Sequence, residues 1–344
     1  MRSNNLPDFT SFLPLPVIDS HVHFVHPERM ADVLRIIEAV PYQALQLVCI
    51  PNPDGTNHNP AAEYFREHYD GPVYISGALD YRPVVNDGAD PVETLAQQVI
   101  ALKQSGYNGL KLIEGKPNVR KSLPIPLDSP AYEGMWSALE RENFPVVFHV
   151  ADPDEFWDPA ACPDWAKTSG WDYTDGSFPS KEDLYAEVDH ILARHPDLII
   201  TFAHFYFLAN DLERAAQFLD RHPRVCFDLT PHTGMYYEFS QKPAEARDFF
   251  NRYADRILFG TDTDTRVLVR GESGMRFMLN QIYLIRACLE WEGEFSLPGY
   301  GPLHGLGLDR QVLEKIYSAN FLRIYGEDPG RKPKKNFHLS GGST

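Results

Sequence analysis

The sequence predicts a (β/α)8 barrel, an α/β fold of TIM-barrel type made as one domain. Three observations carry that prediction. Eight short, almost uniformly apolar runs recur along the chain, each about one strand long. Segments with helical spacing lie between them, so strands and helices alternate from end to end. The 344 residues also exceed the roughly 250 of such a barrel by enough for a leader, a tail and one long loop. An open doubly wound sheet is the rival, but it often shows a glycine-rich turn after its first strand, and here that strand ends in histidines.

The elements follow in order. Val17–Val22 is the first strand and Arg29–Ala39 its helix, and Ala44–Ile50 and Val73–Leu79 are the second and third strands. Pro91–Lys103 is helical because Val92, Leu95, Val99 and Leu102 fall on one face. Gly109–Ile113, the helix Ala131–Arg141 and Pro145–Val150 come next. The connection from Ala151 to Ser180 is unusually long, carries Trp157, Trp165, Trp171 and Tyr173, and follows a strand, so a barrel places it over the mouth. Lys181–Arg194, Leu198–Ala203, Leu208–Arg221, Val225–Leu229, Pro243–Tyr253, Arg256–Gly260 and Met275–Glu290 continue the alternation. Strands this uniformly apolar are buried on both faces, which is the property of a parallel sheet. No repeat or break in composition divides the chain. The expected organisation is a leader over 1–14, the barrel over 15–327, with its long loop after strand 5, and a flexible tail over 328–344.

With 32 Lys and Arg against 48 Asp and Glu, the net charge is −16. That balance excludes nucleic acid and anionic membrane surfaces as partners, because phosphate binding needs clustered cations. No apolar run reaches the length of a membrane span, and no signal-peptide pattern opens the chain, so a cytoplasmic protein is expected. Cys49, Cys162, Cys226 and Cys288 are widely spaced and form no CxxC pair, which reads as four buried thiols. A small-molecule substrate is the expected partner, and a homodimer is compatible with the sequence.

The chemistry concentrates at strand ends. In Val17-Ile18-Asp19-Ser20-His21-Val22-His23, alternation along a strand puts Asp19, His21 and His23 on one side, and two imidazoles at i and i+2 make a pair of metal ligands. Taken alone, such a pair is as readily a surface feature. Three further strands end in the same chemistry, however: His149 closes the fifth, His204 the sixth, and Thr261-Asp262 follows the eighth. A barrel brings all strand C-termini to one mouth, so these residues meet. Three or four imidazoles with one carboxylate suit Zn²⁺ best and accept Mn²⁺, Fe²⁺ or Co²⁺.

This pattern resembles the amidohydrolase superfamily, and Val312-Leu313-Glu314-Lys315-Ile316-Tyr317-Ser318-Ala319-Asn320-Phe321 resembles the closing helix of its amidohydrolase-2 branch. That branch includes hydrolases, lactonases and decarboxylases related to aminocarboxymuconate semialdehyde decarboxylase. The resemblance spans roughly residues 15–327. It implies that His21, His23, His149 and Asp262 bind one divalent metal, zinc first and manganese next, and that His204 and Asp262 handle protons. Binuclear members carry a carboxylated lysine at the end of the fourth strand, near the place of Lys111. A bridging carbamate, a cationic role toward substrate and a plain strand-end lysine all stay open for it.

Loops after the strands supply further mouth candidates: Arg82, His232, Tyr236 and Arg266 are expected to bind substrate. Arg82 and Arg266 suit bidentate carboxylate binding, and each has an aspartate two residues before it, Asp80 and Asp264, as an alternative partner. The expected activity is hydrolysis of an ester, lactone or amide carbonyl by metal-activated water. Decarboxylation of an aromatic or enoic acid is the alternative, and a catalytically silent metal-binding barrel is a third. A bound dication would make the mouth locally electropositive, which admits an anionic substrate despite the charge of −16.

Overall fold

The uniformly apolar runs pair edge to edge because each has two faces to bury and no polar side to turn to water. A computed structural model describes residues 7–52, 54–232, 234–297 and 299–330. Its strands are β1 (Val17–His23), β2 (Tyr42–Val48), β3 (Val73–Gly77), β4 (Gly109–Gly115), β5 (Val146–Val150), β6 (Ile200–Phe202), β7 (Val225–Asp228), β8 (Ile257–Leu258) and β9 (Thr263–Asp264). They form one sheet in the order β8-β7-β6-β5-β4-β3-β2-β1-β9, and every pairing in it is parallel. The eighth strand of the sequence reading, Arg256–Gly260, shortens to β8, and β9 follows outside that run. Val22 pairs with Thr263, and the Ser20 amide donates to the Phe259 carbonyl at 3.0 Å, which joins the last strand to the first. The molecule is a TIM-type (β/α)8 barrel with its strand C-termini at one mouth.

The expected helices are present, Lys181–Arg194 with the bounds read from the sequence and the others with shifted ends, as Met30–Ala39, Pro91–Gln104, Glu133–Arg141, Leu212–Arg221, Pro243–Arg252 and Glu272–Glu290. The helix expected from Leu208 starts at Leu212, where the Asp211 side chain accepts from the Arg214 amide. A helix over Asn59–His68 and an antiparallel hairpin, β10 (Glu292–Ser296) with β11 (Pro302–Leu306), were not foreseen. The closing helix runs from Arg310 to Tyr325 with a π-helical turn over Lys315–Ala319. That widened turn leaves the Ile316 carbonyl free to accept from the Phe259 amide at 2.9 Å, just before the mouth. Asn320, also buried, donates to the carbonyls of Ala254 and Ile257 at 2.7 and 2.8 Å and so fixes the entry to β8.

Phe321 then packs with Ile18, Ala44, Tyr74, Cys226 and Leu258 at the N-terminal ends of the strands. Burying one such ring is worth roughly 1.5–3 kcal/mol, and the plug leaves the opposite end as the place for chemistry. All four cysteines are buried and free. From the expected leader, Phe12 stacks on Trp291 with ring centroids 5.6 Å apart, and the Leu13 amide donates to Glu290 at 2.7 Å. Residues 1–6 and 331–344, which hold most of the expected tail, lie outside the described residues. Among the described residues no helix is long and apolar enough to cross a membrane.

Candidate metal centre

Strand β1 delivers two imidazoles to the mouth, although not by strict alternation. Its pairing with β2 shifts register between Asp19 and Val22. Asp19 ends up apart from the histidine pair, accepting from the Thr261 hydroxyl at 2.6 Å and from the amides of Thr261 and His21. Burial pushes its carboxyl up to about 7 against those donors. His21 and His23 lie with ring centroids 5.2 Å apart. Asp262, in the link between β8 and β9, meets them: its Oδ1 is 3.4 Å from His23 Nε2 and 3.8 Å from His21 Nε2. One ligand atom from each of the three residues lies within 4.8 Å of the others. The backbone accepts strain to make this contact, since Asp262 has φ of 56°.

Two imidazole nitrogens and one carboxylate oxygen are a donor set for a divalent first-row metal. The nitrogens fit that use, because burial holds the His23 imidazole well below its ordinary value, with His21 and Arg266 adding to the effect. A neutral ring has a lone pair to offer. His21 is held from behind: its Nδ1 lies 2.8 Å from Asp228 Oδ2, and both residues are buried.

His149 and His204 come from β5 and from the turn after β6. His149 stands outside the triad. Its Nε2 donates to the Ala151 carbonyl at 3.0 Å and lies 3.3 Å from Asp152, which leaves Nδ1 as its remaining ring nitrogen. Burial, with the Lys116 charge, pushes it down to about 4. His204 stacks edge-on against His149 at 4.8 Å and lies 5.9 Å from the His21 ring. It opens a left-handed turn: His204, Phe205, Tyr206 and Phe207 have φ of 58°, 55°, 55° and 51°. Such backbone costs roughly 1–2 kcal/mol per residue, and it is held by burial of all four side chains. His204 Nδ1 lies 3.3 Å from the Thr230 carbonyl, an arrangement that puts the proton on Nδ1 and leaves the Nε2 lone pair open.

Lys111 is buried on β4 with its Nζ 3.3 Å from His21 Nε2. Burial lowers its amine to about 8, against the pull of Asp228, Asp262 and Glu114. The remaining candidates are differently placed. Arg82 is bound by Asp80 at 2.7 Å and Arg266 by Asp264 at 2.6 Å, so each guanidinium already holds a carboxylate. Tyr236 is buried and donates its hydroxyl to the Leu229 carbonyl at 2.7 Å, which spends it inside the fold. His232 rests on the Phe207 ring, 4.9 Å between centroids.

Two groups escaped the sequence reading. Asp228 closes β7 as His149 closes β5, and asking of every strand end what polar residue it carries finds it. Asp152 accepts from Lys116 at 2.5 Å and from the Tyr173 hydroxyl at 2.6 Å, which binds the long loop to the side of His149. Lys116 and His149 outweigh its burial and hold its carboxyl down to about 2. Lys116 also sits over the Trp171 ring at 4.3 Å.

A parallel barrel with imidazoles and a carboxylate gathered at one mouth defines the TIM-barrel enzymes that bind a divalent metal at their strand ends. The chain belongs to the amidohydrolase family, whose model matches residues 18–326. Its fold is similar to that of an uncharacterised TIM-barrel protein from Bordetella bronchiseptica, at 14% identity and a TM-score of 0.57 over 92% of this chain and 100% of that one. It is similar as well to 5-carboxyvanillate decarboxylase from Sphingomonas paucimobilis, at 11% identity and 0.54 over 91% and 99%. A third likeness is to a dihydroxybenzoic acid decarboxylase from a Polaromonas species with bound manganese and the inhibitor 2-nitroresorcinol, at 13% identity and 0.52 over 90% and 97%. No curated protein matches the chain at a significant level.

Proposed function

We propose that the protein is a metal-dependent hydrolase of a small-molecule ester, lactone or amide. The observation that carries this reading is the convergence of His21, His23 and Asp262 within 4.8 Å, beside a His204 whose Nε2 is open. His21 Nε2, His23 Nε2 and Asp262 would hold the ion, with His149 joining through Nδ1; zinc is the first expectation and manganese the second. A divalent cation at such a set supplies Lewis acidity, which polarises a carbonyl and acidifies water. Asp262 Oδ2 would take the proton that the attacking water gives up and return it to the leaving oxygen or nitrogen, while His204 Nε2 would accept a hydrogen bond from that water and orient it.

The paired state of Arg82 and Arg266 favours hydrolysis over decarboxylation, because a substrate carboxylate would have to displace Asp80 or Asp264. One observation supports decarboxylation instead: Lys111 is a buried amine 3.3 Å from His21 Nε2, placed to attract the carboxylate of an aromatic acid, and two of the similar folds are decarboxylases of such acids. In either reaction the substrate is a small, and for decarboxylation an anionic, molecule.

The test begins with metal analysis of purified protein and with panels of esters, lactones, amides and phenolic acids. Hydrolysis with no release of carbon dioxide is expected. Carbon dioxide from a phenolic acid establishes the second reading, and full metal occupancy with no turnover on any panel establishes a silent barrel. His204→Asn is expected to keep metal loading and lose turnover by about 10²–10⁴-fold; undiminished turnover removes His204 from the reaction.

A further inference from the structure

Asp228 touches two parts of the mouth at once. Its Oδ2 lies 2.8 Å from His21 Nδ1. Its Oδ1 accepts from the His204 amide at 2.8 Å, from the Thr230 amide at 3.1 Å and from the Thr230 hydroxyl. The His204 amide is the one that opens the left-handed turn, so the carboxylate anchors strained backbone with one oxygen and an imidazole with the other. A carboxylate that takes three donors at Oδ1 is used as an acceptor, and its other oxygen offers Nδ1 a lone pair. His21 Nδ1 must therefore carry the proton. The other face of the ring agrees: Lys111 Nζ, a donor, lies 3.3 Å from Nε2, which must then present its lone pair.

We propose that Asp228 is a positioning residue: it fixes His21 in the Nδ1–H tautomer, so that the Nε2 lone pair faces His23 and Asp262, and by the same carboxylate it holds the turn that places His204. The role in metal binding rests on the reading of His21 as a ligand. The tautomer itself does not, and that separates the two.

Asp228→Asn keeps the shape and changes only this logic. An amide has one accepting and one donating side. Three donors meet at Oδ1, so the amide oxygen belongs there, and its NH₂ then faces His21 Nδ1, where only a lone pair fits. His21 is driven to the Nε2–H tautomer. The opposite amide orientation sets NH₂ against three donors and releases the His204 turn.

The experiment is ¹⁵N-edited imidazole spectroscopy of the full chain after chelation, with the His21 signals assigned by their loss in His21→Gln. It is paired with calorimetric titration of Zn²⁺ and of Mn²⁺. Wild-type His21 is expected as Nδ1–H. In Asp228→Asn the tautomer is expected to reverse and metal affinity to fall by about 10–100-fold. A wild-type His21 protonated at Nε2 overturns the proposal, and so does Asp228→Asn with unchanged tautomer and affinity. If Asp228→Asn does not fold, the wild-type spectrum still decides. A wild type that shows Nδ1–H but binds neither metal refutes the metal reading of the previous section and upholds the positioning role of Asp228 toward His21.

Discussion

Gly260 shows how tightly the mouth is built at the scale of one residue. A methyl group added there would lie 3.0 Å from Thr230 Cγ2, 3.1 Å from Ser20 Oγ and 3.2 Å from His21 Cβ. All three neighbours sit in packed strand ends and must give way together, so Gly260→Ala is expected to destabilise the fold by about 1–3 kcal/mol. Urea unfolding measures the loss; an unchanged midpoint means that the strand ends yield more easily than their packing implies. Single residues were also the scale at which the sequence was most and least informative. His21 and His23 stood out because two imidazoles inside an apolar run need a reason to be there. Asp228 gave a weaker signal: one carboxylate near the end of the run Val225–Leu229 marks a polar strand end, but its partners His21 and the His204 amide are set by the fold. The strained turn at His204 left no trace, because Ala-His-Phe-Tyr-Phe contains no glycine and reads as continued strand or helix. Its stability comes from burial of the rings, which no local pattern reports.

Elements were legible where periodicity was long and hidden where tertiary contacts set the geometry. Pro91–Gln104 and Lys181–Arg194 match their spacing closely, whereas Asn59–His68 buries only Ala62 and Phe65 on too short a stripe to register. The long loop after β5 was recognised by its length and tryptophans, but not its anchor. Phe156, Cys162, Ala166 and Tyr173 form a small core of their own, and Lys116, Asp152 and Tyr173 tie that core to β5. Lys116→Met would leave the buried Asp152 carboxylate without its cation, at a cost of about 3–5 kcal/mol. Adding Asp152→Asn should recover part of that loss, and two independent, additive effects in denaturant unfolding would argue against the pair as the anchor. A second element-scale effect is set by pH. Glu238, on the helix Met235–Gln241 beyond β7, is pushed from its ordinary 4.5 up to about 7 by burial, with Glu155 adding to the rise. A carboxyl raised on folding contributes stability that is present in full below about 4.5 and is lost as the pH rises through about 7. Melting temperatures of wild type should therefore fall relative to Glu238→Gln across that window, and parallel curves for the two proteins would refute the assignment.

For the whole molecule, the position of the triad in the chain matters as much as its chemistry. His21 and His23 belong to the first strand and Asp262 to the link between the last two, so an ion bound by all three joins the two ends of the sheet at the seam where the barrel closes. That seam is held as well by the Val22–Thr263 and His23–Asp264 pairings of β1 with β9, the Ser20–Phe259 hydrogen bond, and the bonds from the Thr261 amide and hydroxyl to Asp19. An unfolded chain separates Asp262 from the two histidines by more than two hundred residues and cannot offer all three together, so metal binds the folded state far more tightly than the unfolded chain. Free metal at a hundredfold excess over its dissociation constant should then stabilise the fold by about 2.7 kcal/mol. Three consequences follow from the same equilibrium: the melting temperature rises with the logarithm of metal concentration, chelation reverses the rise, and Asp262→Ala abolishes it. His149→Ala should weaken the rise without removing it, because its one remaining nitrogen lies beyond the seam. Differential scanning calorimetry across a metal series measures all of this. A melting temperature independent of Zn²⁺ and Mn²⁺ in the wild type would mean that the strand-end histidines serve packing and not an ion, and the closing of the barrel would then depend on the Phe321 plug and the π-helical turn beneath β8.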